Sequence, residues 1–175
     1  MKTYMFRVLV ADSIDEAGAN RLFDAGVEDG VPESGPHGHS IGFDRESSSL
    51  EQAILSAIAQ VQSAGFEVLR VEPDDIVSAA DIAERTDRSR QSISSLINGT
   101  RGPGDWPRPI AGNVRSPLWR WTDVAGWFEA FDGTQQLDKD EANVVSAVNE
   151  VLAARRALRP LGAQARRRLL RQLAS

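Results

Sequence analysis

Between residues 78 and 99 the chain spells two short helices separated by a two-residue gap, and this constrains everything built around it. Ser78 is placed to cap a first helix over residues 79–85. Thr86-Asp87 makes the turn, and a second helix follows from Ser89 to Asn98 and stops at Gly99. Helices this short are marginal in water, so each must bury an apolar stripe against a neighbour. Ile82 and Ala83 supply the stripe on the first helix, and Ile93, Leu96 and Ile97 supply it on the second. Glu84 and Arg85 are expected to face solvent. The other side of the second helix is Arg88, Ser89, Arg90, Gln91, Ser92, Ser94, Ser95 and Asn98, and residues 88–98 hold no acid at all. A face that meets only water would mix Glu and Asp into such a set.

The next stretch extends the pattern. Residues 100–109 read as a loop, followed by Ile110, a turn at Gly112-Asn113 and a strand over 118–121. The hairpin carries Arg108, Asn113, Arg115 and Arg120, with Arg101 at the start of the loop. Thr122 is expected to cap a helix over 123–131, with Val124, Trp127, Phe128 and Phe131 turned inward; Trp121 and Trp127 read as core. The formal charge of the chain is −5, but it is unevenly spread. Residues 1–75 hold five basic and 14 acidic side chains, whereas residues 88–121 hold six Arg against the single acid Asp105.

Two short helices joined by a tight turn, the second offering Arg, Gln, Ser and Asn outward, read as a helix-turn-helix, and the hairpin behind them as a wing. Arg pairs bidentately with guanine and Gln or Asn with adenine, while Ser hydroxyls and the helix N-terminus suit phosphate oxygens. The expected partner is therefore double-stranded DNA. Its candidate contacts are Arg88, Ser89, Arg90, Gln91, Ser92, Ser94, Ser95, Asn98, Arg101, Arg108, Asn113, Arg115 and Arg120.

Trp106-Pro107 with Pro109, then Leu118-Trp119-Arg120-Trp121-Thr122-Asp123-Val124 with Trp127, resembles the AlpA and excisionase group of small MerR-like regulators over about 55 of the 175 residues. It is similar also to bacterial helix-turn-helix proteins with an acidic N-terminal domain. The resemblance implies major-groove contacts from Arg88, Arg90, Gln91, Ser92 and Ser95. It implies wing contacts to backbone or minor groove from Arg115 and Arg120, with the alternative that Arg120 braces the wing against the helix. The long loop at 102–105 and the flanking segments depart from the shortest members of the group, which bears on the regulatory role.

Ahead of this segment, strand signals over 4–10 and 66–71, a hairpin over 27–43, and two helices give a β-α-β-β-α-β order. Ser13 with Glu16 reads as the capping box of the first helix, which carries Ala17, Leu22 and Phe23. Ser48 or Ser49 caps the second, with Ala53, Ile54, Ala57, Ile58 and Val61 on one face. The fold class expected is α+β: a ferredoxin-like acidic domain over 1–75, a winged helix-turn-helix over 76–131, and C-terminal helices over 132–175 suited to dimerisation. In that last segment Val144, Val145, Val148, Val151 and Leu152 form an apolar stripe that packs either within the chain or against a second subunit. Arg166-Arg167-Arg168 with Arg171 is either a solvated face or a set of further phosphate contacts.

Several chemistries find no footing. The chain lacks Cys, which excludes disulfides and thiolate metal sites. No apolar run reaches the roughly 18 residues of a membrane span, and the N-terminus has no signal-peptide pattern, so a cytoplasmic protein is expected. His37 and His39 without an organised acidic partner read as a solvated turn rather than a metal site, and Asp74-Asp75 as solvated acids at the domain junction. No nucleophile, phosphate loop or oriented base stands out, so no catalytic residue, cofactor or enzymatic activity is expected. The function expected is a dimeric transcriptional regulator, a repressor, with two alternatives. One is an antitoxin-like or phage-defence-associated protein whose acidic domain binds a basic protein partner; the other is an excisionase-type factor that bends DNA.

Overall fold

Phe6 and Val8 are buried on one face of β1 (Lys2–Val10) while Met5 and Arg7 are exposed on the other, and at the end of the strand Leu9 and Val10 are both buried. The computed structural model describes residues 1–35, 38–133 and 139–173 of a mixed α/β chain. After β1 come α1 (Glu16–Asp24), β2 (Gly30–Gly35), β3 (Gly38–Ser47), α2 (Leu50–Ser63) and β4 (Val68–Glu72). The four strands form one sheet in the order β2-β3-β1-β4, and each neighbouring pair is antiparallel. Phe6 pairs with Phe43 across the sheet, their rings stacked at 5.3 Å. Ala53, Ile54, Ala57 and Val61 of α2 are wholly excluded from solvent, so the apolar stripe of that helix is consumed within the core.

A charged knot lies in this same core. Arg45 on β3 is only 8% exposed; it donates to both oxygens of Asp29, at 2.7 and 2.6 Å, and to Ser56 Oγ and Gln60 Oε1 on α2. Gln60 in turn donates to the carbonyl of Gly26. Every arm of the guanidinium is therefore used, which makes burial of a charge tolerable. The Arg45 hydrogen bonds hold the Asp29 carboxyl below its ordinary value, against the opposing pull of burial.

Local signals misplace some details. The cap of α1 is Asp15, whose carboxylate accepts from the Gly18 amide, and not Ser13. Phe23 on α1 and Val31 on β2 are 66% and 64% exposed. For α2, Ser49 is the cap. His37 lies outside the described residues; His39 Nδ1 meets Ser34 Oγ at 3.0 Å across the hairpin.

Two compact units account for the chain: Met1–Glu72 together with Ala147–Ser175, and Pro73–Ser146. Residues 132–175 are thus divided between the two, and do not stand as a module of their own. In the first unit, Asn149 on α6 (Lys139–Leu158) receives the Val71 amide at 2.8 Å and donates to the Val71 carbonyl at 2.9 Å. Its side-chain amide thereby occupies the otherwise open edge of β4, as a further strand would. Leu152 is buried, while Val151 of the same apolar stripe remains 52% exposed. The last helix, α7 (Ala163–Leu173), carries the arginine cluster of residues 166–171. Among the described residues no helix is long and apolar enough to cross a membrane.

The second unit contains β5 (Ile76–Val77), α3 (Ala79–Arg85), α4 (Arg90–Ile97), β6 (Ala111–Asn113), β7 (Ser116–Arg120) and α5 (Trp121–Asp132). Its strands form a small sheet in the order β5-β7-β6. The core beneath is Val77, Ile82, Ile93, Leu96, Trp119, Trp121, Val124 and Phe128, with Ala142 of α6 packed against it.

Candidate nucleic-acid interface

Ser78 and Asp81 form a reciprocal capping box at the start of α3, and Ser89 caps α4 by accepting from the Ser92 amide. Between them Asp87 takes a left-handed φ of 50°, which turns the chain sharply enough for the helices to pack. Ile93 and Leu96 are buried, and this fixes the rotation of α4 about its own axis. Arg90, Gln91, Ser94 and Asn98 consequently stand on the exposed side. Ser92 and Ser95 are half-buried; the Ser95 hydroxyl donates to the Gln91 carbonyl. Ser89, Gln91, Ser92, Ser95 and Arg101 line a polar hollow of about 380 Å³ at the beginning of α4.

The hairpin is held by its own turn. Asn113 Oδ1 accepts from the amides of Arg115 and Ser116, at 2.9 and 3.1 Å. Gly112 takes φ +85°, and a Cβ there would lie 2.1 Å from the Ser116 carbonyl oxygen. Only glycine fits. Val114, fully exposed, and Arg115 form the tip. Behind the hairpin, Trp119 Nε1 donates to the Pro107 carbonyl and Trp127 Nε1 to that of Gly104, so two indoles pin the loop onto the core. Trp106 packs at 4.8 Å from Trp127 and edge-on to Trp119 and Phe128. Its indole N–H is buried and has no hydrogen-bond partner among the described residues.

The six arginines of residues 88–121 separate into two groups. Arg88 bonds to Asp132 and lies over the Phe128 ring at 5.0 Å, which ties the start of α4 to the end of α5. Arg120 bonds to Asp75 at 3.2 Å and to Ser146 Oγ at 3.4 Å. Both are braces within the unit. By contrast Arg90, Arg101, Arg108 and Arg115 are exposed and have no ion pair or side-chain hydrogen bond among the described residues. Asn113 spends its side-chain oxygen on the turn, and Ser89 spends its hydroxyl oxygen on the cap.

Asp75 is the residue that sequence reasoning missed. It is 2% exposed, not solvated. One carboxylate oxygen accepts from the Thr122 amide at 3.0 Å and the other from Arg120, while its carbonyl accepts from the Trp121 amide at 2.6 Å. Asp75 therefore caps α5 from 47 residues away, in the place expected for Thr122; the helix begins at Trp121 and its own flanking residue makes no side-chain cap. Arg85 is also not a solvent residue. It lies over the Trp121 ring at 4.9 Å and donates to the Asp74 carbonyl, and its burial lowers its pKa. No signal near either residue in the sequence announces these partners.

Among the described residues no group of three His, Asp or Glu is placed to hold a metal ion. What the arrangement offers is an exposed helix face and a neighbouring hairpin tip, both cationic and both on rigidly capped elements. In comparisons with protein-family models, curated proteins and solved structures, none matches this chain.

Proposed function

We propose that the chain is a sequence-specific binder of double-stranded DNA, a bacterial regulator of the repressor type that acts in the cytoplasm without catalysis. The observation that carries this reading is the set of four guanidiniums, Arg90, Arg101, Arg108 and Arg115, left without partners among the described residues around one helix and one hairpin. Four exposed cations, Arg90 on α4 and the others in the loop and hairpin turn that follow it, suit a polyanion. The α3–turn–α4 pair with the β6–β7 hairpin supports a winged helix-turn-helix, and the β2-β3-β1-β4 order of the first sheet supports a ferredoxin-like unit. In this reading α4 enters the major groove, where Arg90, Gln91 and Asn98 meet base edges, and Arg101, Arg108 and Arg115 hold phosphates. Arg88 and Arg120 support the surface from behind. Two-fold operators are read by two copies, so a homodimer on DNA is the expected stoichiometry.

Fluorescence anisotropy against the DNA upstream of the chain's own gene and a scrambled duplex, across a salt series, tests this. Arg90→Ala is expected to reduce the preference for the upstream duplex by about 5- to 150-fold, the equivalent of ~1–3 kcal/mol. Arg115→Ala is expected to weaken binding to both duplexes alike and to lower the salt slope by about one. If both variants bind as the unsubstituted protein does, the assigned surface is wrong.

A further inference from the structure

From Val151 onward the sequence contains seven Arg and no acidic residue. Two of the seven have structural roles. Arg159 pairs with Glu67 at 3.0 Å, and Arg166 donates to the carbonyls of Arg159 and Leu161 at the end of α6. Arg155, Arg156, Arg167, Arg168 and Arg171 have no ion pair or side-chain hydrogen bond among the described residues. The unit they belong to also holds twelve Asp and Glu in residues 1–72, and none of these acids is paired with any of the five. Arg155 and Arg156 sit in the last turn of α6, where a cation offsets the helix dipole. On α7, Arg171 is likewise in the last turn, but Arg167 and Arg168 have no such duty. At spacings of three and four residues the three share one helix face, and all are exposed.

We infer that this face of α7 is a second phosphate-binding surface for duplex DNA, indifferent to sequence and carried by the unit that lacks the α4 helix. The inference rests on the reading of the chain as a duplex-DNA binder. Guanidinium forks suit phosphate oxygens in two-point contacts. Among the described side chains, the apolar side of α7 offers Leu169 and Leu170, 38% and 52% exposed, and the helix holds no aromatic residue. That is little apolar area for insertion among lipid chains or for a stable contact between copies, and a symmetric contact would set arginine against arginine.

The test is the triple variant Arg167→Ala, Arg168→Ala, Arg171→Ala in the full chain, in the same anisotropy and salt series. The salt slope is expected to fall by about 2–3, at roughly 0.9 per lost phosphate contact, with upstream and scrambled duplexes weakened by the same factor. An unchanged slope and unchanged affinities would overturn the inference. Arg90→Ala with Arg115→Ala separates the two readings: if that pair leaves both duplexes bound as before while the triple variant loses them, the α7 surface stands and the α4 reading falls. Absence of any duplex binding by the unsubstituted chain sinks both. Vesicles with about one third phosphatidylserine and sedimentation velocity complete the series. A triple variant that loses vesicle binding, or an oligomer, while keeping its duplex slope would assign the face to a lipid surface or to a second copy, and the inference would fail.

Discussion

At the scale of single residues, buried carboxylates decide more than exposed ones. Asp75 stabilises the second unit through three atoms, of which two belong to its side chain. Asp75→Ala removes an N-cap and a charged hydrogen bond together, so a loss of about 2–4 kcal/mol is expected in urea unfolding. Asp75→Asn keeps an acceptor for the Thr122 amide but loses the charge facing Arg120, so its loss should be roughly half as large. Asp29 makes a prediction in pH. Its folded carboxyl titrates below the ordinary 3.8, because Arg45 bonds to the charged form. The stabilisation it supplies is therefore complete above that ordinary value and disappears as pH falls through the lower folded one. The urea midpoint of Asp29→Asn, followed from pH 7 to pH 3, should start lower than that of the unsubstituted protein and fall less steeply.

At the scale of elements, the hairpin of the second unit depends on one glycine. Gly112→Ala places a methyl group where the Ser116 carbonyl oxygen already stands, so β6 and β7 must part at their turn. Because β7 is also paired to β5, the core should remain folded by circular dichroism while amides of residues 111–118 lose exchange protection. If the proposed DNA reading holds, affinity for all duplexes should fall with it, since Arg115 is no longer positioned. How much of this was legible in the sequence depends on how far each stabilising partner lies along the chain. Ser78, Ser89 and Gly99 act within a turn of their own position, and so α3 and α4 are readable to within a residue, as is the exposed side of α4. Ser13 and Thr122 fail as caps for different reasons. In the first case Asp15, two residues on, is an equally good acceptor; in the second the acceptor comes from Asp75. The same distance hides the roles of Arg88 and Arg120, whose partners Asp132 and Asp75 lie 44 and 45 residues away. Arg90 and Arg115 remain available because no acid among the described residues reaches them, and an absent partner is something a sequence alone cannot display.

At the scale of the whole molecule, the first unit is assembled from both ends of the chain, with the second unit inserted between them. Asn149 is the point where the return is made. Asn149→Leu keeps a side chain of similar bulk but leaves the Val71 amide and carbonyl without their bonds. Exchange protection at residues 68–72 should fall, and the exposed strand edge should promote association at high concentration, measurable by light scattering. The uneven charge belongs to this scale too, since acidic and basic stretches far apart in sequence are brought into one unit.

The 78 residues that separate Val71 from Asn149 also set an order of events during synthesis. At roughly 5–20 residues per second, a ribosome leaves the edge of β4 uncovered for about 4–16 seconds after that strand has emerged. The second unit, encoded in between, has nearly all of its own residues out of the exit tunnel before the first can close. The part of the protein made first is thus the part finished last, and in that interval a nascent chain would present an open strand edge to any chaperone or neighbouring polypeptide able to pair with it.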